Sequence, residues 1–130
     1  MIENFDNYPY FKRSEFACTH TGECEMQASF MDKLFELRKA CNVPFIISSG
    51  YRDITHPIEQ AKINAGRKPG VHTMGLAADI LCSGNKAHLI LKNAMIMGFT
   101  GIGINQSGNE GRFIHLDTYT EAPRPNVWSY

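Results

Sequence analysis

Val71-His72-Thr73-Met74-Gly75-Leu76-Ala77-Ala78-Asp79-Ile80 is the stretch on which the fold turns. Thr73-Met74-Gly75 can reverse the backbone, because Gly75 reaches conformations closed to other residues. Leu76 to Leu81 then reads as a strand, with Ala77 and Asp79 on one face and Ala78 and Ile80 on the other. A second strand follows the same rule in Arg112-Phe113-Ile114-His115-Leu116-Asp117, where Phe113, His115 and Asp117 face one way and Ile114 and Leu116 the other. With Gly101-Ile102-Gly103-Ile104 it brackets the polar turn Asn105 to Gly111, which fits a β-hairpin. Each strand therefore has an apolar face for a core and a polar face for work.

Upstream, Arg67-Lys68-Pro69-Gly70 is a loop that delivers the chain to His72. Pro57 suits a first helical position and Gly66 a C-terminal cap, so a short helix is expected over 57–65. Phe45-Ile46-Ile47-Ser48 is a short apolar run, consistent with a buried strand, that leaves through the turn Ser49-Gly50-Tyr51-Arg52. Ser29, with Asp32 behind it, reads as the N-cap of a helix carrying Phe30, Met31, Leu34, Phe35, Arg38 and Cys41 at helical spacing, ending near Asn42 ahead of Pro44. Downstream, Ser83 or Asn85 caps a helix with Ala87, Ile90, Leu91, Ala94 and Met97 on one side, closed by Gly98. Residues 1–28, rich in aromatics and turn formers, are expected to lay an irregular arm over the core. The whole is an α+β fold, a small antiparallel sheet flanked by helices, forming a single domain over residues 1–130.

At 130 residues and 43% hydrophobic content the chain can bury a core without disulfides. Lys plus Arg and Asp plus Glu balance at 13 each, which removes the electrostatic footprint of a nucleic-acid or anionic-membrane binder. The sequence starting Met1-Ile2-Glu3-Asn4 has no basic segment followed by an apolar run, so neither a signal peptide nor a membrane span is expected. A monomer is expected. Cys18, Cys24, Cys41 and Cys82 do not form a disulfide framework; Cys41 and Cys82 read as buried thiols. Cys18, His20 and Cys24 converge around a glycine turn but lack a fourth ligand of proper spacing, so loop thiols or a local disulfide are favoured over a second metal site.

The chemistry gathers on His72, Asp79 and His115. Two imidazoles and a carboxylate make a three-ligand zinc site with one position open for water. Each also has an ordinary reading: His72 as a loop residue, Asp79 as a strand-end carboxylate, His115 as a satisfied core histidine. His56, before Pro57, and His88, inside a helix, read as bystanders.

Ser49-Gly50-Tyr51-Arg52, then His72-Thr73-Met74-Gly75-Leu76-Ala77-Ala78-Asp79, then His115-Leu116-Asp117 resemble the ordered motifs of the M15 peptidases, the zinc D-alanyl-D-alanine carboxypeptidases and phage endolysins. Tyr10-Phe11-Lys12-Arg13-Ser14-Glu15-Phe16 and Trp128-Ser129-Tyr130 are similar to the ends of compact, often phage-encoded members. The resemblance implies a Hedgehog/DD-peptidase-like fold and hydrolysis of stem or cross-link peptides in peptidoglycan. It implies zinc held by His72, Asp79 and His115, with Arg52 on the substrate carbonyl or developing oxyanion. It also implies a protein made in the bacterial cytoplasm that acts at the cell wall after release or as a virion component. A zinc-containing module that binds cell wall or builds a virion, without hydrolysis, is the alternative.

Two positions depart from better-known relatives. Those carry an acidic general base three residues before the last zinc histidine, where this chain has Arg112, and no histidine stands two before it. Glu110, the nearest upstream acid, is the first candidate for the base; Asp117 is the second, with orientation of His115 as its other role. Many relatives also carry a serine two before the first zinc histidine, where this chain has Gly70, which argues for altered specificity.

Overall fold

A computed structural model describes residues 1–130. Helices α1 (Arg13–Phe16) and α2 (Ala28–Cys41) precede strand β1 (Ile46–Ser49) and helix α3 (Pro57–Asn64). A 3-10 turn, Val71–Met74, leads into β2 (Ala77–Leu81), helix α4 (Gly84–Ile96), β3 (Gly101–Asn105), β4 (Phe113–Asp117) and β5 (Asn126–Ser129). The strands form one sheet in the order β1-β2-β4-β3-β5. It is antiparallel except where β5 runs parallel to β3, so the fold is α+β with a mostly antiparallel sheet.

The alternation in the strands divides the sheet as expected. Ala78, Ile80, Ile102, Ile114 and Leu116 are buried on the core face, where they join Phe30, Met31, Leu34 and Leu37 of α2 and Ala87, Ile90 and Ala94 of α4 in one cluster. Burying a side chain of this size stabilises the fold by about 1.5–3 kcal/mol each. This apolar side of the sheet holds the opposite, polar face in place.

Two local expectations need correction, and one strand was not expected. Gln27, not Ser29, is the N-cap of α2, with no side-chain cap bond; the Asp32 carboxylate instead accepts from the Tyr8 hydroxyl at 2.5 Å. The helix ends where expected, on Asn42 in the left-handed region at φ 51°. The strand after Pro44 is not buried: β1 is an edge strand and Ile46 is 56% exposed. The third difference is β5, which follows a proline-rich segment and closes the far edge of the sheet.

The N-terminal segment is irregular apart from α1, and Tyr8, Phe11 and Phe16 are buried. It also braces two turns beside the polar face. The Tyr51 N–H donates to the Phe16 carbonyl at 2.8 Å, and Gly50 packs so closely on the Phe16 backbone that a Cβ there would stand 2.6 Å from its Cα. The Gln27 N–H donates to the Gly75 carbonyl at 3.0 Å.

Candidate metal centre and cleft

The register of the sheet assembles the site. Asp79 of β2 lies directly opposite His115 of β4, and His115 lies opposite Gly103 of β3, which in turn pairs with Trp128 of β5. Residues in register share a face, so Asp79, His115 and Trp128 point the same way. Gly103 has no side chain in this row, and the Trp128 ring crosses it to stand 5.2 Å from the His115 ring. A Cβ at Gly103 would come within 2.6 Å of the Trp128 indole nitrogen.

His72 arrives from the 3-10 turn. Gly75 ends that turn at φ 70° and packs so tightly on the Glu25 carbonyl that a Cβ has no room. The His72 imidazole is buried, with Nδ1–H donating to the Gly50 carbonyl at 2.8 Å. The other nitrogen, Nε2, lies 3.4 Å from Asp79 Oδ1. His115 mirrors this arrangement: Nε2–H donates to Asp117 Oδ2 at 2.7 Å and Nδ1 lies 2.9 Å from Asp79 Oδ1. One nitrogen of each imidazole is thus anchored and the other turned toward a shared carboxylate, the arrangement typical of metal-binding histidines. The ligand atoms of His72, Asp79 and His115 lie within 4.8 Å of one another, and no other His, Cys, Asp or Glu group in the chain converges in this way. The donor set fits zinc in kind and number.

Around this group the electrostatics are strongly biased. Burial raises the Asp79 pKa, but His115 and His72 outweigh it and hold the carboxyl far below its usual range. Burial lowers that of His115, and Asp117 and Asp79 reverse the sign. Asp117 is fully buried and braced by Arg124, whose Nε and Nη2 donate to its two oxygens at 3.0 and 2.9 Å. Gly101 faces Asp117 in register, and a Cβ there would collide with the carboxylate. Asp117 therefore lies beneath His115 as its orienting partner.

A cleft of about 690 Å³ opens over the group, with His72, Asp79 and His115 in its wall. Arg52 also lines it, with its Nη1 donating to Glu59 Oε2 at 2.9 Å and its Nη2 to Ser49 Oγ at 3.3 Å. Glu110 stands in the exposed turn between β3 and β4 and is not part of the cleft wall. Arg112, where relatives carry an acid, closes that same turn by donating to the Gly108 carbonyl at 2.6 Å. His56 caps α3 by accepting from the Ile58 N–H, and His88 is exposed on α4. Cys18 and Cys24 are free thiols, and Cys18 Sγ accepts from the Asp53 N–H at 3.3 Å.

Over residues 9–117, the greater part of its length, the sequence matches the Peptidase M15 family. The chain belongs to the M15 peptidases. No curated protein matches it. M15 peptidases are zinc-dependent metallopeptidases, and the His72, Asp79 and His115 group is where this one can hold a metal ion. No helix of this M15 chain is long and apolar enough to cross a membrane.

Two residues of the M15 site had no individual signal in the sequence. Glu59 is a wholly buried carboxylate that accepts from Arg52, Lys62 and the Gly70 N–H. Its spacing from Lys62 reads equally well as a solvated helix pair. Arg124 lies between Pro123 and Pro125 in a stretch that reads as a loop.

Proposed function

We propose that this protein is a zinc-dependent peptidase that hydrolyses stem or cross-link peptides of bacterial peptidoglycan, encoded by a phage or prophage. The observation that carries the reading is the convergence of His72, Asp79 and His115 in the wall of an open cleft, each imidazole anchored through its other nitrogen. Zinc held there supplies Lewis-acid chemistry that makes water a nucleophile near neutral pH and polarises a carbonyl. Arg52, fixed by Glu59 and Ser49, donates to the substrate carbonyl oxygen and stabilises the negative charge that develops on it. Asp117 and Arg124 keep His115 in one tautomer and one orientation.

One observation favours a second reading, a zinc-containing module that binds cell wall or builds a virion without hydrolysis. Apart from Asp79 no carboxylate lines the cleft, since Asp117 is engaged by His115 and Arg124 and Glu110 stands outside. Zinc analysis combined with assays on cross-linked muropeptides separates the two. The peptidase reading expects one zinc per chain and cleavage that a chelator removes and zinc restores, both lost in His115→Ala. A large loss in Glu110→Gln would make that residue the base, reached by movement of its turn. Zinc bound with no turnover in the parent would support the binding module.

A further inference from the structure

The end of the cleft formed by α3 and the loop after it carries a charge excess that the metal group does not explain. Arg52, Lys62 and Lys68 all line it. Glu59 lies beneath them and is the acid paired with both Arg52 and Lys62, so three cations are offset by one carboxylate in a chain whose formal net charge is zero. Lys62 is the informative member. Its Nζ lies 3.3 and 3.5 Å from the two Glu59 oxygens, at the loose end of hydrogen bonding, and its side chain is 27% exposed toward the cleft. The Glu59 oxygens are better satisfied by Arg52 at 2.9 Å and the Gly70 N–H at 2.7 Å. Lys62 is thus held in place while its ammonium keeps donors to spare.

Gly70 explains how the ammonium reaches this position. Its φ of −73° suits any residue, so its backbone does not demand glycine. A Cβ at Gly70 would stand 2.7 Å from Lys62 Nζ, so the ammonium in this position uses space that glycine leaves open. The missing side chain lets the ammonium lie over the strand of loop that enters His72. Held beside Glu59, the cation lies in the wall of the cleft that also contains His72, Asp79 and His115.

We infer that Lys62, backed by Lys68, forms a carboxylate subsite beside the metal group, and that it selects substrate peptides bearing a free carboxylate close to the bond to be cut. This rests on the peptidase reading for its substrate but is measurable by binding alone. The carboxylate can be a peptide C-terminus or the α-carboxylate of a γ-linked D-glutamate. Calorimetric titration of the purified protein with L-alanyl-γ-D-glutamyl-L-lysine, its α-carboxamide (isoglutaminyl) form and its C-terminal amide tells these sources apart. The expected result is at least tenfold weaker binding for one amidated form, with the ratio collapsing toward one in Lys62→Met and retained in Lys62→Arg. Lys68→Met, on the exposed loop, narrows the ratio in the same direction. Equal affinity of the parent for all three peptides would overturn the inference. So would a Lys62→Met variant that binds more weakly but keeps the parent's ratio, since Lys62 would then serve only to brace Glu59. If the preference is found while cross-linked muropeptides and purified peptidoglycan are left uncut, the subsite stands and the hydrolytic reading falls.

Discussion

Two buried carboxylates, Glu59 and Asp117, govern the site without being candidate ligands. Burial alone pushes the Glu59 pKa up; the Gly70 N–H, Arg52 and Lys62 outweigh it and hold the carboxyl below its usual range. A depressed carboxyl pKa contributes stability that is fully present above the unfolded value of about 4.3 and disappears as pH falls through the folded value. Glu59→Gln leaves Arg52 and Lys62 without their counter-charge and is expected to cost about 3 kcal/mol at pH 7. Denaturant unfolding should show that loss, together with a shallower fall in stability below pH 4 than the parent shows. For Asp117, replacement by Asn keeps the size but removes the charge that fixes the His115 tautomer. Zinc affinity, measured by competition with a chelating dye, should weaken about tenfold to a hundredfold. The convergence of His72, Asp79 and His115 was legible in the sequence chiefly through the resemblance of their motifs to the M15 peptidases, since residue type and spacing around a glycine turn allow it without requiring it. Glu59 was not, since burial of a helical carboxylate depends on what the loop of residues 67–70 lays over it.

At the scale of elements, what matters is register. Asp79 and His115 meet because β2 and β4 pair one to one along their length, and a slip of one residue would send one of them into the core. The alternation of apolar and polar residues in both strands made this half of the sheet readable. The edges were not readable in the same way. β1 shows Ile46 to solvent despite its apolar run, and β5 pairs in parallel after a segment dense in proline, with only four residues to signal it. The 3-10 turn carries the sharpest element-scale prediction. Gly75→Ala adds a side chain at positive φ and drives it into the Glu25 carbonyl. Strain of the first kind alone costs about 1–3 kcal/mol. Thermal unfolding should show at least that loss, and zinc affinity should fall with it because His72 moves relative to Asp79.

For the molecule as a whole, one sheet separates two tasks. Its apolar face, with α2 and α4, supplies the stability, and its polar face presents Asp79 and His115 of the candidate metal group to a cleft walled by the loops around β1, α3 and β5. The N-terminal segment ties these together by holding the Gly50 and Gly75 turns on either side of His72, so it belongs to the site as much as to the core. Membership of the M15 peptidases supports the proposed zinc-dependent chemistry, and the cationic end of the cleft supports the proposed preference for peptides with a free carboxylate near the bond to be cut. The claim joining these levels is that the polar face cuts peptidoglycan peptides. Mass spectrometry of purified peptidoglycan incubated with zinc-loaded protein tests it most directly. The account predicts new peptide termini at one type of bond, absent with chelated protein and with His115→Ala. Peptidoglycan left intact by zinc-loaded protein, or termini that also form with His115→Ala, would contradict it.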